Sequence, residues 1–301
     1  MKTIIKIKLE NKDYPKLLSH IAGPPKQLYC RGNIKLLDSF CIGVVGTRKL
    51  TAYGKEATEQ IVSELAGNNI TIVSGLAFGI DAIAHQSALD NDIPTIAVLG
   101  SGVDDQSIYP RTNFQLAKSI LENGGLIVSE YEPRFRANEK TFPQRNRIIS
   151  GLSKGVLVVE APEKSGALIT TRFAAEQNRD VFAVPGNIFS INSKGANMLI
   201  QKGAKPVFSA EDILGSYYQN LELNLSARGG SAFGGENNIS TKNPIEKKIL
   251  DILNEKDELS ADEIISLAEL DVSQVIVALS MLEMKNKVRV RNGKYQMTNS
   301  K

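Results

Sequence analysis

At 301 residues, with 42% hydrophobic and 23% charged side chains, the chain is long enough for one sizeable core and a smaller module, so two domains are the starting expectation. A formal net charge of +3 permits an anionic partner without demanding one. Cys30 and Cys41 stand in no CxxC or Cys/His cluster, MKTIIKIKLENKD alternates lysine with isoleucine, and no run of about 18 apolar residues occurs; a disulfide framework, structural zinc, a signal peptide and a membrane span are not expected, and a reducing cytoplasm is.

Residues 1–39 hold a strand-like start and the turn former Gly23-Pro24-Pro25, and are read as a short N-terminal segment. From 40 to 218, short apolar β-branched runs recur at Cys41–Val45, Ile70–Val73, Thr95–Leu99, Leu126–Val128, Val156–Val159 and Val181–Val184. Their continuous hydrophobicity is what strands covered on both faces need, as in a parallel sheet. Helix-period segments lie between them: one after Thr51 with Ala57, Ile61, Val62 and Leu65 on one face, then about Gly79–Leu89, Asn113–Leu121 and Gly166–Gln177. Strand and helix alternate, so a doubly wound α/β fold is expected. Residues 219–243, with ARGGSAFGGENNISTKN, read as a flexible linker. In 244–301, helical periods at Ile245–Asn254, Ser260–Glu269 and Val272–Asn286 precede a basic hairpin turning at Asn292-Gly293, the pattern of a winged helix.

In an open α/β sheet, ligands bind beyond the carboxyl ends of the strands. Here those loops are rich in glycine and hydroxyls: Gly46-Thr47-Arg48, Ser74-Gly75-Leu76-Ala77-Phe78-Gly79, Gly100-Ser101-Gly102 and Ser165-Gly166. Glycine lets a ligand approach the backbone, and amides at a helix N-terminus point toward anionic oxygens. The alternative for each loop is a glycine that merely makes a tight turn, but several together favour phosphate. Lys140, Phe142, Arg145, Asn146 and Arg147 follow on one short stretch; arginine grips phosphate bidentately and a phenylalanine face stacks an unpaired base. The competing reading is a surface helix start with salt-bridged arginines.

Enzyme signatures are sparse. No GxGxxG opens the first helix, no acidic residue ends the second strand, and GxxxxGK[ST] does not occur. Asp81 and His85, four apart on an expected helix, read as a capping acid and a packed histidine, and Asp104 and Asp105 as capping or solvated. Neither Ser74 nor Ser101 has an identifiable general base.

Together, SGLAFGID, GSGVD with a downstream YP, SEYEP, FPQRNRIISGLS, SGALIT with AAEQNRDVFAVPG, and SKGAN before LIQKGA closely resemble the DNA-processing protein A (DprA, also called Smf) family over about residues 35–215. The resemblance implies an extended Rossmann-like fold, a homodimer, cooperative single-stranded DNA binding, protection of incoming strands, and loading of a RecA-type recombinase in natural transformation. Carried over by motif, the family's DNA pocket falls on Arg48, Gly100-Ser101-Gly102, Lys140, Phe142, Arg145 and Arg147, with Ser165 and Gly166 close by. The chain departs from the family at Glu132, where a second proline is usual, and its N-terminal segment is shorter than the helical domain many members carry.

The expected single-strand site is thus Thr47, Arg48, Ser74, Gly75, Phe78, Gly79, Gly100, Ser101, Gly102, Lys140, Phe142, Arg145, Asn146, Arg147, Ser165 and Gly166, with no catalytic residue, metal or cofactor. The enzyme alternative is a nucleotide or sugar-phosphate hydrolase on a related fold; such enzymes carry PGGxGTxxE where this chain has Ser165-Gly166-Ala167-Leu168-Ile169-Thr170-Thr171. A third class is a scaffold without nucleic-acid contact. In the C-terminal module ten acidic residues face nine basic ones, and the stretch Asp271–Met284 of the expected third helix holds no Arg or Lys while carrying Asp271 and Glu283, so a protein-contact or accessory role is favoured over duplex reading.

Overall fold

The computed structural model describes residues 3–217, 244–256, 258–268, 275, 278–279, 282–283, 287–291 and 294–297. Two compact units result, Met1–Arg228 and Gly229–Lys301. The expected linker, most of the expected third helix and the Asn292-Gly293 turn lie outside the described residues.

The first unit is a sheet between two helical layers. Its strands are β1 (Ile4–Lys8), β2 (Gln27–Gly32), β3 (Phe40–Val45), β4 (Ile70–Ser74), β5 (Thr95–Val98), β6 (Leu126–Ser129), β7 (Gly155–Val158), β8 (Asp180–Ala183) and β9 (Lys205–Pro206), ordered β1-β2-β6-β5-β4-β3-β7-β8-β9. From β6 to β9 neighbours run parallel, so the fold is mostly parallel as expected. The N-terminal residues, read from sequence as a strand-like start and no further, add β1 and β2 as antiparallel strands beyond β6. Helices are α1 (Lys16–Ser19), α2 (Ala52–Glu64), α3 (Ile80–Asp90), α4 (Phe114–Glu122), α5 (Thr141–Leu152), α6 (Ala167–Glu176), α7 (Lys194–Gln201) and α8 (Ala210–Leu214).

Successive strand residues point to opposite faces. Cys41 and Val45 of β3 pack under α5 and α6, with Ile148, Ile149, Leu152 and Ala174; Ile42 and Val44 pack against α2 and α3, with Ile61, Val62, Ile80 and Ala84. Each such buried Ile or Leu contributes about 1.5–3 kcal/mol, so these two apolar layers set the sheet's position. The chain winds outward from β3 through β4 and β5 to β6, then returns through α5 to β7 on the other side of β3. That makes β3/β7 the topological switch point, where the loops diverge and leave a crevice.

In the second unit, α9 (Pro244–Glu255) and α10 (Ala261–Ala268) precede an antiparallel β10 (Val288–Arg291) and β11 (Lys294–Met297), with an added bridge from Leu259 to Tyr295. Ile249, Leu253, Ile264, Leu279, Leu282 and Val288 form its core. Among the described residues, no helix is long and apolar enough to cross a membrane.

Candidate nucleic-acid interface

At the switch point opens a cavity of about 560 Å³. The loop after β3 contributes Gly46 and Arg48, the start of α5 contributes Phe142, Arg145 and Asn146, and the start of α6 contributes Ser165, Gly166 and Ala167, while Tyr109, Asp81 and Glu139 are among the other wall residues. Arg48 is exposed, and its guanidinium carbon lies 5.5 Å from the Phe142 ring centroid. Tyr109, half exposed, approaches the same ring at 5.6 Å between centroids. A cation and two rings therefore share the cavity mouth. Asn146 Nδ2 donates to the Gly166 carbonyl at 3.2 Å and so ties the starts of α5 and α6 together.

Beneath the mouth lies a buried polar layer. Arg145 is 4% exposed; its Nη1 donates to the Gly75 carbonyl at 2.6 Å and to that of Val98. Burial lowers its pKa to about 10, against the attraction of Asp81, and leaves it charged at neutral pH. Burial likewise raises the Asp81 pKa, opposed by Arg145 and by hydrogen bonds that include the Gly75 amide at 3.1 Å. His85, fully buried, places Nδ1 2.7 Å from Thr95 Oγ1, and burial followed by Arg145 lowers its pKa to about 3.

The sequence profile of the DNA recombination-mediator protein A family matches residues 6–218, and that of the DprA winged helix domain matches 236–294. The chain belongs to the DprA/Smf family. It is 46% identical over 208 residues to DNA processing protein DprA of Bacillus subtilis, covering 69% of each chain, and 44% identical over 219 residues to protein Smf of Escherichia coli, covering 73% of this chain and 57% of that relative. Its fold is similar to the crystal structure of DprA from Streptococcus pneumoniae, with TM-score 0.67 and 42% identity over 71% of this chain and 74% of that one. It is also similar to DNA processing protein A from Helicobacter pylori, described as having a single-stranded DNA binding mode, with TM-score 0.64 and 36% identity over 73% and 99% of the two chains.

In this DprA-family chain the residues expected from sequence, Arg147 apart, separate into three groups. Arg48, Phe142, Arg145, Asn146, Ser165 and Gly166 converge on the cavity. Lys140, exposed at the N-cap of α5, and Phe78, 43% exposed before α3, lie outside its lining. A third group works underneath. Ser74 donates to the Val44 carbonyl at 2.6 Å, the Gly102 amide donates to the Phe135 carbonyl at 2.9 Å, and Ser101 accepts from Ser129 Oγ through its carbonyl at 2.5 Å. Thr47 is buried and donates its amide to the Glu160 carbonyl at 2.7 Å, while Gly79, at φ +78, lets α3 start where a Cβ would strike the Thr47 carbonyl. A Cβ at Gly100 would stand 3.0 Å from Phe142 Cδ1, and one at Gly75 would collide with the Arg145 guanidinium. Gly75 and Gly100 therefore leave room for the Arg145 and Phe142 side chains, whereas Gly79 and Gly102 lie against backbone.

Arg147, expected to neutralise a phosphate, makes a bidentate pair with Glu130, Nη1 to Oε1 at 3.1 Å and Nη2 to Oε2 at 2.7 Å, with both side chains under a fifth exposed. That is the contact the competing reading, a helix start with a salt-bridged arginine, has at this position. Tyr109 and Asp81 were missed as wall residues because each comes from a segment distant in sequence from Phe142; the YP after GSGVD was the available signal for Tyr109.

Proposed function

We propose that this cavity binds the sugar-phosphate backbone and an unpaired base of single-stranded DNA. The observation carrying this reading is Arg48 laid over Phe142 beside Tyr109. Arg48 supplies charge for a phosphate, Lys140 adds a second cation near the mouth, and the two rings offer a stacking face that a base can use only when it is out of a duplex. The starts of α5 and α6 add amide dipoles on the same side. Stacking and charge are blind to base identity, so little sequence preference is expected.

Family membership supports the finer reading: a cytoplasmic recombination mediator that protects incoming single strands in natural transformation and loads a RecA-type recombinase, acting as a homodimer and turning over no small molecule. Ile188, Phe189, Ile191 and Phe208, each at least 70% exposed, are apolar surface suited to protein contacts of that kind. The winged helix is proposed as an accessory module. A nucleotide or sugar-phosphate hydrolase is the competing reading, favoured by the protonation-prone Asp81 in the cavity wall.

The test is affinity for a short oligothymidylate against its duplex from low to physiological salt, with base release from nucleoside monophosphates assayed alongside. A single-strand preference with a steep salt slope supports the proposal; base release abolished by Asp81→Asn supports the hydrolase and overturns it.

A further inference from the structure

In a doubly wound sheet, the N-terminus of the helix after the first strand of the switch point is the usual seat of a nucleotide's phosphates, because its amides and dipole favour an anion. In this chain that helix is α2. An anion already sits there, and it is the protein's own. Glu160 leaves the carboxyl end of β7 and is 1% exposed. Its Oε2 accepts the Thr51 amide at 2.9 Å and its Oε1 accepts the Thr51 hydroxyl at 2.8 Å. Thr51 is the N-cap of α2, and its own Oγ1 accepts the Gly54 amide at 3.2 Å.

The fit is close. A Cβ at Gly54 would collide with Glu160 Oε2, so the first turn of α2 admits the carboxylate because position 54 carries no side chain. None of the ion pairs among the described residues includes Glu160. Its charge is met by an amide, a hydroxyl and the helix dipole, the same donors a phosphate would recruit. A cavity of about 400 Å³ adjoins it, lined by Thr51, Tyr53, Gly186, Asn187 and Ser190 among others, which is room that a phosphate-bearing ligand would need.

We propose that Glu160 is a specificity-determining residue: an internal substitute for nucleotide phosphate that closes the α2 terminus to free nucleotides. Any second anion there meets a like charge at contact distance. Arg48 and Lys49, both exposed on the loop between β3 and α2, are then the cations of this loop left to attract phosphate, and of the two Arg48 lines the larger cavity. The inference goes beyond the single-strand reading and does not depend on it, since it concerns what the neighbouring crevice refuses.

The test compares Glu160 with Glu160→Gln, which keeps the shape and removes the charge, and Glu160→Ala, which opens the space. All three are made with Arg48→Ala, so that anion held in the larger cavity does not contribute. Each is titrated with inorganic pyrophosphate and with ADP against sodium chloride of equal ionic strength, following Tm. With Glu160 present, neither ligand should raise Tm beyond the salt control. Glu160→Ala should gain a pyrophosphate-dependent rise of about 3 °C at millimolar ligand, and Glu160→Gln a smaller one. Equal responses in all three proteins, or no gain in a variant that melts cooperatively, would overturn the proposal. If Glu160→Ala shows no cooperative transition, Glu160→Gln decides alone: a gain supports the plug and no gain overturns it. Oligothymidylate affinity measured with Arg48 intact should stay within about twofold for either variant, so loss of the single-strand reading would be seen separately.

Discussion

Replacing Arg147 by alanine separates a structural cation from a DNA-binding one. The Arg147–Glu130 pair is bidentate and each side chain is under a fifth exposed. Removing one partner from a fully buried pair costs about 3–5 kcal/mol, because the other charge is left without compensation. Residual solvent access reduces this to about 2–3 kcal/mol, which for a unit of this size lowers Tm by roughly 5–10 °C. Arg48→Ala is the contrasting perturbation. Arg48 is exposed and its stack on Phe142 contributes about 0.5–1 kcal/mol, so Tm should fall by no more than about 4 °C. Its loss should instead weaken oligothymidylate binding about tenfold or more and flatten the slope of log affinity against log salt by about 0.7. Fluorescence anisotropy at several salt concentrations and thermal melts on the same preparations read both quantities. Glu130→Ala completes the cycle: it should destabilise by a similar amount, and the double variant should recover part of the loss. An Arg147→Ala protein that melts normally and loses the same salt slope as Arg48→Ala would refute the assignment.

Phe142→Leu should lower single-strand affinity by about 5- to 100-fold, one stacked base, while leaving the salt slope unchanged; a changed slope would mean the ring acts by placing Arg48. His85 stays neutral in the fold, with burial and then Arg145 holding its pKa at about 3, whereas the unfolded chain takes up a proton near pH 6.5. Stability from this residue is therefore complete above pH 6.5 and falls toward pH 3 by at most about 1.4 kcal/mol per unit, and His85→Gln should lose that slope; because the raised pKa of Asp81 acts in the opposite sense, the quantity to read is the difference between the two proteins' melts at pH 7 and pH 5.

The parallel core was legible because strands buried on both faces are written as apolar runs, as in Leu126–Val128 and Val156–Val158. β1 carries a different script. Lys6 and Lys8 alternate with isoleucines, and only Ile7 of this strand is buried, which is an edge pattern whose pairing with β2 depends on residues 19 to 27 positions away. Within the site, Arg48 and Phe142 could be named from local chemistry, yet their contact arises from the switch-point topology. The buried state of Arg145 had a readable sign: Thr141, Arg145, Ile148, Ile149 and Leu152 share one helical face, and four of these are apolar or small. The partner of Arg147 had none, since Glu130 lies 17 residues upstream on another segment.

The glycine loops change the physical account of the site most. Phosphate cradles work through open amides, yet the Gly75 amide is held by Asp81 and the Gly102 amide by Phe135. What Gly75 and Gly100 supply is clearance, the first under the Arg145 guanidinium and the second under the Phe142 ring. The two positions should then respond differently to a single methyl group. At Gly100 the added Cβ stands 3.0 Å from Phe142 Cδ1, so the partly exposed ring shifts by a few tenths of an ångström; Gly100→Ala should cost a few-fold in single-strand affinity, keep the salt slope and leave Tm nearly unchanged. At Gly75 the guanidinium is fixed by the Gly75 and Val98 carbonyls and cannot yield. Gly75→Ala should therefore destabilise the fold by about 2–4 kcal/mol, the range for overpacking combined with a disrupted buried charge. If both variants melt like the parent and both lose salt dependence instead, these glycines face phosphate directly and the clearance account is wrong.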